Sequence, residues 1–174
     1  RAKSEKLLNN ILPTKIAEML KDQDTYPGTI FNYHPSTTIV FTDEVGFTSF
    51  TKAINPERLV KIIDSLFSRF DELCDRHGVE KIKTIGDAYM CASGLNERKS
   101  MPHSMVKAAL EMQEFPEEQK QERIRMGKPY FEARIGIHTG PVVAGVVGVK
   151  KFAYDIWGDT VNTAARVEAN SEAG

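Results

Sequence analysis

An α+β fold, a sheet with helices on one face, is what this sequence predicts. Three observations carry it. Residues 37–41 form a β-branched run, residues 79–93 and 131–149 read as hairpins, and amphipathic helical stripes lie between them. The resulting order is strand, helices, hairpin, helix, hairpin, helix.

Taken in order, residues 4–21 present Leu7, Leu8, Ile11, Leu12, Ile16, Met19 and Leu20 as an apolar side. Pro13 predicts a kink or two short helices there. Residues 22–36 contain Pro27-Gly28 and Pro35, which reads as a connector with a tight turn. The strand at 37–41 follows, with Asp43 where it should end. Asn55 can cap the next helix, Pro56 suits its first turn and Gly78 follows its end. Leu59, Ile63, Leu66, Phe70 and Leu73 recur on one side of that helix and must face a core. Strands at 79–85 and 88–93 are separated by Gly86-Asp87, a hairpin pair that puts Asp87 at the turn tip. Pro102 opens a helix carrying Met105, Ala109, Met112 and Phe115, and Pro116 is expected to bend or stop it. Residues 131–138 alternate, with Phe131, Ala133, Ile135 and Ile137 on one face and Glu132, Arg134 and His138 on the other. Thr139-Gly140-Pro141 is expected to turn this strand into a valine-rich one ending near Val149. A last helix begins near Asp159.

The 174 residues hold 23 Lys+Arg and 24 Asp+Glu, a formal charge of −1, so nucleic acid or an anionic membrane surface is not expected as the main partner. A chain this long buries about 70% of its unfolded surface and needs no disulfides; Cys74 and Cys91 lie in apolar stretches and read as reduced core residues. No apolar run approaches the ~20 residues that span a bilayer, and no signal peptide is visible. The chain opens at Arg1 without a methionine and stops at Gly174 in an unfinished segment. It is expected to be a piece of something longer, with any sensor or membrane anchor outside it.

Asp43 at a strand end and Asp87 at a hairpin tip would meet if that hairpin pairs beside the first strand. Two hard oxygen donors with open positions suit Mg²⁺ or Mn²⁺; equally, each aspartate serves to cap or turn the chain. Gly46, within Val45-Gly46-Phe47-Thr48, allows main-chain N–H groups to approach phosphate, or simply makes a turn. Lys83 shares a face with Val79 and Ile85 on a strand read as internal, and Asp155 lies beside Ile156-Trp157. Each charge needs a partner there. Together they form a structural ion pair, or they read a ligand edge with one acceptor and one donor. Asn162 and Arg166 project from one helix face, and Arg134 and His138 share a polar strand face; solvation is the simplest role for each, and His138 has no ligand partner at metal spacing.

Taken jointly, FTDEVGFTSF (41–50), EKIKTIGDAYMCASGL (80–95), ARIGIHTGPVVAGVVG (133–148) and YDIWGDTVNTAARVE (154–168) resemble class III nucleotidyl cyclases, most closely adenylyl cyclases of bacterial type. The strings keep that family's order and spacing from about Pro35 to Gly174. SEKLLNNILPTKIAEML (4–20) is similar to the helical linker preceding many such domains. The resemblance implies a ferredoxin-like domain at 37–174, a linker at 1–21 and a connector at 22–36, working as a head-to-tail homodimer with sites at the interface. It implies that Asp43, Asp87 and the Glu44 carbonyl hold two Mg²⁺ or Mn²⁺ ions. Gly46, Phe47 and Thr48 would cradle the β- and γ-phosphates and Arg134 would contact phosphate. Asn162 and Arg166 of the other subunit would orient the ribose and stabilise charge at the α-phosphate. Lys83 and Asp155 fall at the base-reading positions, and Ile85, Gly86, Ile156 and Val161 line the nucleotide site. Guanylyl cyclases usually carry Glu and Cys or Ser at the two base positions, so the implied substrate is ATP, converted to 3′,5′-cyclic AMP and pyrophosphate in a cytoplasmic domain under an upstream sensor. The alternatives are a guanylyl or relaxed-specificity cyclase, or a nucleotide-binding dimerisation module without turnover. Three departures stand out: Glu44 replaces a usual apolar residue, Pro116 interrupts a helix, and the chain stops before the family's last strands, which carry a phosphate-contacting lysine.

Overall fold

The computed structural model describes residues 2–22, 30–95, 101–148, 150–151 and 153–174. In chain order the described elements are α1 (Ala2–Ile11), α2 (Thr14–Lys21), β1 (Ile30–Val45), α3 (Phe47–Ala53), α4 (Pro56–His77), β2 (Glu80–Ile85) and β3 (Ala88–Ser93). They continue with α5 (Pro102–Arg125), β4 (Glu132–Val147), β5 (Ala153–Trp157) and α6 (Asp159–Ala169). Every strand pair is antiparallel and the sheet runs β2-β3-β1-β4-β5.

Local chemistry accounts for the longest elements. The Asn55 side chain accepts from the Glu57 N–H at 2.8 Å, Pro56 occupies the first turn of α4, and Gly78 ends it in the left-handed region at φ 64°. Leu66, Phe70, Leu73 and Cys74 of α4 are buried against Met105, Ala109 and Met112 of α5 and against Val40, Tyr89 and Cys91 of the sheet. Burying each large side chain stabilises the fold by about 1.5–3 kcal/mol. The long helices α4 and α5 share one sheet face, but the expectation that helices occupy one face alone does not hold. The opposite face also carries helices: Leu12, Ile16 and Ala17 at α1–α2, and Ala164 of α6, pack with Ile39, Met90, Val142 and Ile156. The break at Pro13 falls between α1 and α2. Cys74 and Cys91 are buried free thiols, and no described helix is long and apolar enough to cross a membrane.

Three further expectations are corrected. First, β1 begins at Ile30 rather than Thr37, so residues 30–36 of the expected connector are strand; the Pro27-Gly28 turn lies outside the described residues. Second, residues 139–141 make no hairpin, because β4 continues through them for 16 residues. The register against β1 shifts between His34 and Thr37, leaving Pro35 and Ser36 opposite Pro141. A proline with no N–H sits where a bulge already interrupts the ladder, so the strand passes without losing a hydrogen bond. Third, α5 runs unbroken through Pro116, which is itself buried. The cost of about 3 kcal/mol is offset on both sides: Met105, Ala109 and Met112 anchor the first half. Beyond Pro116, the Arg123 guanidinium stacks 5.0 Å from the Phe50 ring centroid.

Candidate active site

Pairing of β3 with β1 places the Gly86-Asp87 turn beside the end of β1, and the carboxyls of Asp43 and Asp87 come within hydrogen-bonding reach. Burial first, then the hydrogen bond and charge of Asp43, push the Asp87 carboxyl up to about 6. Two carboxylates held this close repel unless a proton or a cation lies between them. Among the described residues no cluster of three or more His, Cys, Asp or Glu side chains is arranged to hold a metal. A hard cation held by Asp43 and Asp87 would have to draw its remaining oxygens from main chain or ligand, the manner in which Mg²⁺ binds with phosphate substrates.

Arg134 is the cross-strand partner of Asp43, and its terminal nitrogen lies 4.0 Å from the Asp43 Oδ2. Gly46 adopts φ 80° and starts α3, whose first N–H groups no side chain caps. Phe47 directs its ring into the core, 5.9 Å from that of Phe131, so only its main chain is available to a ligand; Thr48 is exposed.

The second cluster corrects the reading of Lys83. Its strand β2 is an edge of the sheet, not internal, and the register shift between Lys81 and Lys83 leaves its side chain 39% exposed. Although β2 and β5 are opposite edges in the pairing order, the two strands contact each other in the fold, and Lys83 Nζ donates to Asp155 Oδ2 at 2.7 Å. The other Asp155 oxygen accepts from the Ile156 N–H at 2.8 Å. The Ile156 side chain is buried, Val161 is half-buried against the same core, and Ile85 and Gly86 are exposed beside the hairpin turn.

Asn162 and Arg166 both stand exposed on α6. Arg166 contacts run along its own helix, to Thr163 at 3.1 Å and Asp159 at 3.9 Å. The chain therefore assembles Asp43, Asp87 and Arg134 in one place and Lys83 with Asp155 in another, and leaves the α6 pair facing outward. His138 is half-buried and joins neither cluster. A cleft of about 840 Å³ lies elsewhere, between α2 and β1.

Glu168 was not legible as part of this region, and Glu44, which the sequence marks as a departure beside Asp43, is placed only by the fold. Glu168 is buried and accepts from Arg134 Nε at 2.8 Å; its signal is an acid in the stripe Thr160, Ala164, Glu168. Glu44, beside Asp43 in sequence, is only 5% exposed, and neither side-chain oxygen has a hydrogen-bond partner. Burial, then repulsion from Asp87 and Asp43, raises its carboxyl to about 9. An acid that holds its proton more tightly when folded loses stability as pH rises from its ordinary 4.5 toward that value. Glu44→Gln should therefore stabilise the metal-free protein by about 2 kcal/mol at pH 7, with the gain vanishing below pH 4.5; denaturant melts at several pH values measure this, and a pH-independent difference would contradict it.

Residues 31–174 match the family described as Adenylate and Guanylate cyclase catalytic domain. The chain belongs to this cyclase family. An adenylate cyclase of Mycobacterium tuberculosis is 43% identical over 173 residues, covering 99% of this chain and 38% of the relative. The chain thus spans little more than a third of that curated relative. Among solved structures, the catalytic core of a rhodopsin-guanylyl cyclase with converted specificity, in complex with ATPαS, superposes with a TM-score of 0.70 at 33% identity, covering 82% of this chain and 76% of that one. The non-canonical dimeric guanylyl cyclase domain of the RhoGC fusion protein from the aquatic fungus Blastocladiella emersonii superposes with a TM-score of 0.69 at 30% identity, covering 83% of this chain and 79% of that one. Cyclases named for either nucleotide are thus similar to this cyclase domain.

Proposed function

We propose that this cyclase domain converts ATP to 3′,5′-cyclic AMP and pyrophosphate at sites shared between two copies of the chain. The observation that carries the choice of ATP is the contact of Lys83 with Asp155 at 2.7 Å. An ammonium has three N–H donors, so Lys83 keeps Asp155 while donating to the N1 acceptor of adenine, and Asp155 accepts from the 6-amino group. Guanine offers an N–H and a carbonyl in the reverse places, leaving both side chains mismatched at about 1–3 kcal/mol each or more. Since relatives named for both nucleotides match, these two side chains are the discriminating feature; a guanylyl cyclase is the second reading.

Asp43, Asp87 and the Glu44 carbonyl would hold Mg²⁺ or Mn²⁺, which supplies activation of the attacking 3′-oxygen and neutralisation of the leaving pyrophosphate. Main-chain N–H groups at 46–48 bind the β- and γ-phosphates, and Arg134 adds a cation beside them. Ile85, Gly86, Ile156 and Val161 flank the base and ribose. Asn162 and Arg166 orient the ribose and stabilise charge on the α-phosphate in the second copy's half-site. That division is supported by their exposure on α6, away from the Asp43–Asp87 pair. Chemistry then resides in positioning and electrostatics. Residues 1–21 would relay a signal from an upstream regulatory domain to residues 37–174.

The test is formation of cyclic nucleotide from ATP and GTP with Mn²⁺ across protein concentration, together with subunit mixing. Asp43→Ala and Arg166→Ala, each inactive alone, should recover roughly a quarter of wild-type activity when mixed, because random pairing makes half the dimers hybrid and each hybrid has one intact site. No recovery, or specific activity independent of concentration, would place each site within one copy. Binding of ATP without turnover would instead make the chain a dimerisation module.

A further inference from the structure

The buried acid Glu168 lies in the last turn of α6, yet its side chain belongs to the opposite half of the site. The last turn of α6 rests directly on β4: a Cβ at Gly136 would fall 2.2 Å from the Glu168 nitrogen, and the Gly174 N–H donates to the Ala133 carbonyl at 3.2 Å. From there Glu168 Oε1 accepts from Arg134 Nε at 2.8 Å, while the terminal nitrogen of the same guanidinium stops 4.0 Å from Asp43 Oδ2. The Glu168 side chain is 10% exposed and that of Arg134 26%.

We propose that Glu168 is a positioning residue that holds the Arg134 guanidinium back from Asp43, so that Asp43 stays open to a cation and the terminal N–H groups of Arg134 stay open to phosphate. This rests on the cyclase reading above. A guanidinium has five N–H groups, and the Nε hydrogen is the one that Glu168 occupies, leaving the four terminal hydrogens free of this contact. Were Glu168 absent, the strongest attraction left to Arg134 would be Asp43, its cross-strand neighbour. The pair would then close and each group would neutralise the other. Asp43 would bind a cation more weakly and Arg134 would bind phosphate more weakly, although neither had been altered.

A consequence distinguishes this from a plain packing role. Glu168 sits on the helix that presents Asn162 and Arg166, but it acts on the half-site of Asp43, Asp87 and Arg134. In a dimer with shared sites these two halves of one chain serve different sites. The experiment compares Glu168→Ala, Glu168→Gln, Arg134→Ala and the Glu168→Ala/Arg134→Ala double variant in the full chain. Readouts are ATP affinity by equilibrium binding, the Mn²⁺ concentration for half-maximal binding, and KM against kcat. Glu168→Ala should weaken ATP binding roughly ten- to hundredfold, as expected for loss of a hydrogen bond to a charged group, and should raise the Mn²⁺ requirement. Glu168→Gln, which keeps an acceptor for Nε, should stay within about threefold of wild type. With Arg134 already replaced, Glu168→Ala should add nothing, and Mn²⁺ affinity should recover. If Glu168→Ala does not fold, the Gln and double variants carry the test, the double leaving no orphaned charge.

In mixed dimers the loss should follow Glu168→Ala when it is placed in the Arg166→Ala chain, which supplies Asp43, and not when it is placed in the Asp43→Ala chain, which supplies α6. Independent, multiplying effects of Glu168 and Arg134, or loss confined to the chain that supplies α6, would overturn the proposal. Absence of any cyclic nucleotide from wild type would sink the cyclase reading instead, and the binding cycle would still report whether Glu168 acts through Arg134.

Discussion

Replacing Asp43 or Asp87 by Asn should lower cyclic-nucleotide formation by roughly 10³-fold or more while leaving the fold intact. The two carboxyls stand beside each other in the folded chain, and burial and Asp43 together push the Asp87 carboxyl up to about 6. Above that value the metal-free protein carries two facing negative charges whose repulsion is relieved only by a cation. Asn removes one charge and keeps the shape. The metal-free variant should therefore melt no lower than wild type at pH 8, and higher if the repulsion is large. Well below its ordinary 3.8, where Asp87 is protonated in both states, the difference should vanish, since stability from a group of raised pKa falls as pH rises from the unfolded value toward the folded one. Mn²⁺ should raise the melting temperature of wild type and not of the variant. Turnover and thermal melts with and without Mn²⁺ measure both halves. A variant that retained activity would remove Asp43 and Asp87 from the chemistry, and one that unfolded would make them structural.

Exchanging the base readers should have the second largest effect. With Lys83→Glu and Asp155→Cys together, the ratio of kcat/KM for ATP to that for GTP should move by roughly 10²–10⁴ toward GTP. The contact at 2.7 Å explains why both must change. Lys83→Glu alone sets a carboxylate against Asp155, a like-charge contact that costs binding of either nucleotide; Asp155→Cys alone leaves a half-buried ammonium without its carboxylate. Each single variant should be slow with both substrates, and the double should recover turnover with GTP. Initial rates with the two nucleotides decide it. Unchanged preference for ATP in the double variant would remove these side chains from base selection.

Much of the site was legible because its signals are local. Gly86-Asp87 between two strands set Asp87 at a turn tip, Asn55 and Gly78 bracket α4 by capping chemistry, and the stripe of Leu66, Phe70 and Leu73 marks the face that α4 buries. The misreadings at Pro116 and at Gly140-Pro141 share a cause. Proline was weighed by its local penalty, and in both places a distant segment decided the outcome: the core flanking α5, and the bulge in β1 at Pro35-Ser36.

Glu168 was missed, and the burial of Glu44 could not be read, for a related reason. An acid reads as solvated until its surroundings are known. Glu168 is buried because Arg134, on another element, is there to pair with it. Glu44 is buried because the strand alternation that turns Asp43 toward the α6 face of β1 turns Glu44 toward the face covered by α4 and α5.

By itself the sequence determined the longer helices, the β2–β3 hairpin, the α+β class, the free buried cysteines and the residues that could carry charge chemistry, because periodicity and turn chemistry depend on neighbours along the chain. Only the tertiary structure decided which of those charges meet. Lys83 and Asp155 lie on strands at opposite ends of the pairing order and touch because the folded sheet brings β2 against β5. Asp43, Asp87 and Arg134 converge because β1 pairs with both β3 and β4. Asn162 and Arg166 stay apart from them because α6 packs Thr160, Ala164 and Glu168 on the sheet and turns Asn162 and Arg166 to solvent. Register and twist are properties of the whole sheet, set by the burial of both its faces at once, and no segment of the chain specifies them alone.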